Sequence, residues 1–389
     1  MKICILSTSY PRSSGDHWVT FMHSFAKELA KTEDVTVVSS ADAGAKDFEI
    51  RDKVAIYRFN YFIPRSMQRL TYTGGMRESF KREILPKIQA PFFMISFLIK
   101  SLRIAKDCDV INAHWVISGL CALPLKWIYK KPVVLTEHGG SLRGLPRWLN
   151  KFVLKRMDVI TSAHYDMLQS IKDMGINNAV DIKNFLDEEK FLRRHNLRQI
   201  RDSLGMREEF VVTFIGRLEE LKDPLTFIQS IPHAIKKIKN IKFIMLGDGH
   251  LRDEVRKRIK DLKLENHLQF LGPKPDVDNY LSISDIFVAC SATENCFSTT
   301  ILEAMLSKVP CIITKAGLTE KFFVDGRDAC LVEKKNPKML GAAIADLLEN
   351  SALRKELSKN GLKFLDRNGF RNRVIKKKIL KVLRDSVKK

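Results

Sequence analysis

Two series of short apolar runs, each run closed by a polar or glycine-bearing loop, constrain this chain more than any other feature. The first series comprises residues 1–7, 35–39, 109–113, 133–136, 159–162 and 179–182. Runs this short and apolar read as buried strands, and strands alternating with helices read as a parallel sheet. Between the first two runs lie a turn-rich loop, residues 9–16, and a helix whose apolar side is Phe21, Met22, Phe25, Ala26 and Leu29. The charged segment 188–207 interrupts the rhythm as a linker and helix. A second series then follows at 211–215, 242–246, 269–271, 286–289 and 311–314. A chain of 389 residues is long enough to close two cores. The pattern therefore predicts an α/β protein of two doubly wound parallel-sheet domains, with the loops after the strands facing a cleft.

The formal charge is +22, and most of it lies in two places. Residues 51–106 carry 12 Lys or Arg against 3 Asp or Glu, and residues 366–389 carry 10 against 2, so the charge is a local property rather than a global one. Nucleic acid, an anionic membrane surface and plain solvation all fit such patches. In the first patch the cations interleave with rings, as Arg58, Tyr61, Phe62, Arg65, Arg69, Tyr72, Arg77 and Phe80. That mixture reads as a helical insertion with a surface task at a membrane or lipid-linked acceptor, or as an ordinary cover for the sheet. No specific nucleic-acid partner is expected, because the patches are scattered over an enzyme-like scaffold. The stretch from Phe370 reads as a basic amphipathic helix with Val374, Ile375, Ile379, Leu383 and Val387 on one side. Seven cysteines without a C-x-x-C pair read as reduced core thiols. The N-terminal apolar run is too short for a secretory signal, and the most apolar window, residues 91–99, is well short of the roughly 20 residues of a transmembrane helix. A cytoplasmic protein is expected, with peripheral association at the inner face of the cytoplasmic membrane left open.

The richest stretch for chemistry is 289–315. A strand there leads through a polar segment, 291–298, into a helix that opens near Thr299. A helix start presents unpaired N–H groups and a partial positive charge, which suit a diphosphate. Glu303, about one turn in, can accept hydrogen bonds from ribose hydroxyls; alternatively Thr300 and Glu303 form a capping box. A second motif, Gly216-Arg-Leu-Glu-Glu-Leu-Lys222-Asp-Pro224, puts a glycine at a strand end and two cations five residues apart before a helix. His114 and His138 each follow a strand, where polar contact with a substrate is favoured and zinc is not, since no third ligand has recognisable spacing. Gly15 lets a backbone approach a ligand, or simply forms a turn. Gly247 and Gly249 do not complete a dinucleotide fingerprint. Neither Asp276-Val-Asp278 nor Asp107-Cys-Asp109 sits at a strand end, so no metal is expected; a Walker A sequence and a G-x-S-x-G elbow are also absent.

These residues resemble the GT-B glycosyltransferases of family 4, and the resemblance runs along nearly the whole chain. It implies two Rossmann-like domains: an acceptor-side domain at 1–188 with an insertion at about 51–106, a nucleotide-sugar domain at 189–365, and a helix at 366–389 that packs back on the first. Arg217 and Lys222 match the family's diphosphate-gripping pair after Gly216, and Glu303 matches the second glutamate of its E-x7-E motif, which holds the ribose. Phe297, Ser298, Thr299 and Thr300 then form the donor-binding helix start, with Gly247 nearby. His138 matches the histidine that contacts the donor sugar, and Gly317 and Glu320 match the family's GG-x-x-E helix start. Gly15, Asp16 and His114 border the acceptor.

The sequence departs from the family at one position. Counting back from Glu303, the first glutamate of the motif falls on Asn295, whereas Glu294 leaves eight residues between. Either Cys296 is an extra loop residue and Glu294 reaches the sugar, or Asn295 takes its place. The implied activity is metal-independent transfer, with retention, from a nucleotide diphosphate-sugar to a glycan or lipid-linked glycan. His138, Arg217, Lys222 and Glu294 or Asn295 are the catalytic set, and no other cofactor is expected. A weak or inactive relative, a sugar-nucleotide hydrolase or an epimerase of the same shape are the alternatives.

Overall fold

The computed structural model describes residues 1–16, 19–72, 76–138, 141–292 and 298–388, with the backbone alone for 77, 78, 82, 141 and 143. Two compact units form: residues Met1–Phe185 with Arg371–Lys389, and residues Leu186–Phe370.

The first unit holds β1 (Lys2–Leu6), β2 (Asp34–Ser40), β3 (Phe48–Arg51), β4 (Val54–Phe59), β5 (Val110–His114), β6 (Val133–Glu137), β7 (Val159–Ser162) and β8 (Ala179–Asp181). They form one sheet in the order β3-β4-β2-β1-β5-β6-β7-β8, parallel except for β3 against β4. Side chains alternate across a strand, so Cys4 and Leu6 enter one core while Ile3 and Ile5 enter the other. Against the first face pack helices α2 (Leu85–Ala105), α3 (Trp115–Tyr129) and α4 (Arg147–Leu154), through Phe93, Phe97, Leu125 and Val153. Phe97 is fully buried and stacks on Phe59 at 4.8 Å, so its loss to Ala should cost about 3–5 kcal/mol. The opposite face is covered by α1 (Thr20–Ala30), through Met22, Phe25, Ala26 and Leu29, and by the C-terminal helix Asn372–Val387, through Ile375, Ile379 and Leu383. Val387 lies outside this face and is exposed.

Two expectations need correction. Within 51–106, β4 is a central strand, and Arg58 and Tyr61 are buried rather than at the surface. Arg58 donates to the carbonyls of Lys46 and Pro11 and to Glu49, each at 2.8 Å, which offsets the cost of burying its charge. The apolar window at 91–99 belongs to a 21-residue helix that is long and apolar enough to cross a membrane.

The second unit holds β9 (Phe210–Ile215), β10 (Ile241–Leu246), β11 (Leu268–Gly272), β12 (Ile286–Ala289), β13 (Cys311–Lys315) and β14 (Cys330–Glu333), all parallel, in the order β11-β10-β9-β12-β13-β14. Helix α5 (Pro224–Lys237) follows β9, and helix α6 (Thr299–Leu306) follows β12. Each sheet reverses direction beside its first strand, between β1 and β5 in one unit and between β9 and β12 in the other. Such switch points leave a crevice at the strand ends where ligands bind. The expected strand-end residues fall at these two places.

Candidate functional site

In the second unit the loop after β9 and the loop after β10 are pressed together. A Cβ on Gly247 would lie 1.8 Å from the Gly216 carbonyl oxygen, and one on Gly249 would lie 2.3 Å from that of Leu218. Gly247 also has φ +142°, which favours glycine. Leu218 N–H donates to Asp248 O at 2.9 Å, and Leu251 N–H donates to Leu218 O at 3.0 Å. These glycines thus have a packing role: they hold the backbone that carries Arg217. The Arg217 guanidinium is largely exposed and paired with Glu219 at 3.0 Å. Lys222 is half-buried one residue before Asp223, which caps α5 by accepting from Thr226 N–H and Thr226 Oγ1.

The loop after β12 is fastened to the same place. Ala292 N–H donates to Leu221 O at 3.0 Å, while Ser291 N–H donates to Thr314 Oγ1 at 2.7 Å. Glu294, Asn295 and Phe297 lie outside the described residues. Helix α6 starts at Thr299 with Ser298 as its N-cap, and among the described residues no side chain caps it and no acid sits in its first turn. The Thr300–Glu303 capping box does not form, because the helix begins two residues too early for Thr300 to be the cap. Thr300 Oγ1 instead lies 2.9 Å from Ser298 Oγ. Glu303 is half-buried, and desolvation pushes its carboxyl up to about 8; Lys190 opposes this, while Asp187 and Asp278 add to it. A helix start that no described side chain caps, with a carboxyl one turn in, can receive a diphosphate and its attached ribose.

In the first unit the β5 and β6 ends bring two histidines together. His114 Nδ1 lies 2.8 Å from His138 Nε2, and the rings stack with centroids 5.0 Å apart. Asn112 sits two residues before His114, hence on the same face of β5. Its amide nitrogen donates to Val134 O and Thr136 Oγ1, both at 3.0 Å, so its oxygen faces His114 Nε2 at 3.1 Å. His114 therefore carries its proton on Nε2, and its Nδ1 accepts from His138 Nε2–H. Burial holds both rings neutral: His114 lies well below the usual imidazole range and His138 is pushed down to about 3. Phe21 and Trp115 flank His138 at 4.9 and 5.2 Å, and Trp115 adopts φ +65° where β5 turns into α3.

Gly15 and Asp16 lie apart from this pair, in a cavity of about 550 Å³ lined also by Arg12, Ser13, Ala43, Gly44 and Tyr72. Asp16 accepts from Arg12 Nε at 2.9 Å, and Arg12 reaches Asp42 at 3.0 Å and stands over the Tyr72 ring. The buried Arg58 shapes this cavity indirectly, through the carbonyl of Pro11. Asn112 escaped sequence reasoning, and Arg58 was read only as part of a surface patch. A polar residue two places before a strand-end histidine was the available signal for the first. No group of three or more His, Cys, Asp or Glu among the described residues is arranged to hold a metal.

The family model for Glycosyltransferase Family 4 matches residues 19–190, and that for Glycosyl transferases group 1 matches residues 197–364. N-acetyl-alpha-D-glucosaminyl L-malate synthase of Bacillus anthracis is 24% identical over 283 residues, 69% of this chain and 73% of that one. The Campylobacter jejuni GalNAc-alpha-(1->4)-GalNAc-alpha-(1->3)-diNAcBac-PP-undecaprenol alpha-1,4-N-acetyl-D-galactosaminyltransferase is 27% identical over 290 residues, 73% of this chain and 77% of that one. Among solved structures, Anabaena HepE in complex with UDP superposes with a TM-score of 0.75 at 19% identity, covering 99% of this chain and 100% of that one. Two matched halves, two switch-point sheets and the shared architecture make one statement: the chain belongs to the GT-B glycosyltransferases of family 4.

Proposed function

We propose that this glycosyltransferase moves a sugar from a nucleotide diphosphate-sugar to a hydroxyl of a glycan or lipid-linked glycan, with retention of anomeric configuration and without a metal ion. The observation that carries the reading is the start of α6, which no side chain among the described residues caps, together with the bond from Ala292 to Leu221 that ties the end of β12 to the loop bearing Arg217 and Lys222. In this reading the helix start and the two cations hold the diphosphate, and Glu303 accepts hydrogen bonds from the ribose. The donor is assigned to the second unit and the acceptor to the first, where Gly15, Asp16 and His114 border it and His138 contacts the donor sugar. Glu294, or Asn295 in its place, fills the first position of the E-x7-E motif. A lipid-linked acceptor is supported by the Campylobacter relative, whose name specifies an undecaprenol-linked glycan, and implies work at the cytoplasmic face of a membrane.

The bond from the anomeric carbon to the diphosphate oxygen breaks while the acceptor oxygen attacks from the same side. The acceptor's proton passes to a phosphate oxygen of the leaving group. No enzymic nucleophile takes part, so catalysis rests on groups preorganised around the charge growing on the diphosphate. Thermal-shift titration with nucleoside diphosphates in the presence of a chelator tests the donor site. A ligand at 100 times its Kd stabilises by about 2.7 kcal/mol. No shift with any nucleoside diphosphate would remove the donor assignment, an inverted anomeric signal in the NMR spectrum of the product would remove retention, and sugar release unaffected by acceptor would mark a hydrolase.

A further inference from the structure

Helices α2, α3 and α4 lie side by side on one face of the first sheet. Tyr129 at the end of α3 donates to Leu102 O on α2 at 2.9 Å, and Lys126 on α3 donates to Arg156 O just beyond α4 at 2.8 Å. Their inner sides close the core, so their outer sides point together away from the sheet. Those outer sides are apolar. On α2, Ile88, Phe92, Ile95 and Ile99 recur at helical spacing and are 46–57% exposed. Next to the α2 end, Trp127 and Ile128 on α3 are 61% and 60% exposed, and on α4 Trp148 is 71% exposed. Scattered exposed apolar residues are ordinary, but a row continued over three adjacent helices marks an interaction surface.

Charge decides what covers it. The three helices carry six Lys or Arg (Lys87, Lys100, Arg103, Lys126, Arg147 and Lys151) and no Asp or Glu. A second copy would bring the same cations face to face, which disfavours self-association. Lys126 pairs with Asp158 at 2.8 Å, and the other five helix charges are all basic; a basic rim around an apolar row with exposed Trp is the composition that seats at an anionic lipid interface. Although α2 has the length and hydropathy to cross a bilayer, Phe93 and Phe97 are fully buried in the unit, so the helix lies along a surface instead. The basic C-terminal helix offers no rival apolar face, because Ile375, Ile379 and Leu383 are spent inside the core on the opposite face of the sheet.

We propose that the outer face of α2, α3 and α4 docks the protein on an anionic membrane. The inference deepens the proposed function, on which it rests for its purpose: a lipid-linked acceptor is presented at that surface. The test is co-sedimentation of the full chain with vesicles of phosphatidylcholine, with and without phosphatidylglycerol, at moderate salt. Binding is expected only with phosphatidylglycerol, and the double variant Phe92→Ser/Trp127→Ser should weaken it by roughly 10²-fold, the scale for two large side chains kept from burial. The variant should keep its Tm and its thermal shift with nucleoside diphosphate. Absence of vesicle binding, binding that survives in the double variant, or a wild-type dimer that the variant converts to monomer would each overturn the docking face. Because nucleotide binding is measured separately, those results leave the donor site standing, whereas loss of the nucleotide shift in the wild type removes the functional reading and not the surface.

Discussion

The rings of His114 and His138 form a stacked pair in which Nδ1 of the first accepts the proton-bearing Nε2 of the second at 2.8 Å. Asn112 fixes that direction, so the strand interior dictates which nitrogen of His138 remains an acceptor. His138→Ala should lower kcat/KM by roughly 10²-fold if the ring meets the donor sugar. His114→Phe should lower kcat by about 10-fold with little change in donor KM, and His114→Gln should recover part of the loss because its amide oxygen can accept the same N–H. Kinetics with donor and acceptor varied separately check this. Full activity in His114→Phe would leave the pair a packing feature only.

The same pair makes an acid-stability statement. The folded imidazoles titrate below the unfolded value of 6.5, so the unfolded state binds more protons between that value and about 3. Stability is therefore full above pH 6.5 and falls as the pH drops toward 3. Denaturant melts at pH 7 and pH 5 should show a smaller acid loss for His138→Gln than for the wild type.

Glu303 has the opposite sign. Its folded carboxyl titrates near 8, above its usual 4.5, so the folded state holds the extra proton and stability is lost as pH rises from 4.5 to about 8. Ribose hydroxyls are best accepted by the carboxylate. Nucleotide affinity should then rise by about 10-fold per pH unit from 6 toward 8 and level off above. Calorimetry across that range should find the slope abolished in Glu303→Gln, whose Tm above pH 8 should exceed that of the wild type. A flat profile in the wild type would take Glu303 out of the donor site.

Arg217→Ala and Lys222→Ala should each lower kcat by roughly 10²-fold or more, the scale for losing a preorganised donor to developing charge. Unchanged turnover in either variant would remove the diphosphate assignment. Glu219→Ala, which frees the Arg217 guanidinium from an exposed pair at 3.0 Å, should tighten donor binding by about 2- to 5-fold.

Two glycines should behave differently when replaced by Ala. Gly247→Ala drives a methyl into the Gly216 carbonyl and should cost about 3 kcal/mol of stability. Gly15→Ala meets nothing within 4 Å, so Tm should hold. If a ligand backs onto Gly15, acceptor KM should rise by several-fold all the same; an unchanged KM would make it a plain turn.

Both sheets were readable because their strands are short, mostly apolar runs, such as Ile286 to Ala289. β3 and β4 were not, since Arg51, Lys53 and Arg58 read as surface charge until Glu49 and the Pro11 carbonyl are seen to meet Arg58. β14 escaped as a four-residue strand at the sheet edge. The Arg217 and α6 loops were legible because their chemistry is local in sequence. The histidine relay was not, as it depends on the pairing of Asn112 with Val134 across neighbouring strands. The capping box failed over a shift of two residues in where α6 begins.

The C-terminal helix completes the core begun by β1 more than 360 residues earlier, with the whole second unit in between. A ribosome therefore releases a finished middle before it can close the beginning. Until Ile375, Ile379 and Leu383 emerge, that oily side of the opening βαβ segment has only α1 over it, and chaperones have a window of synthesis in which to find the rest.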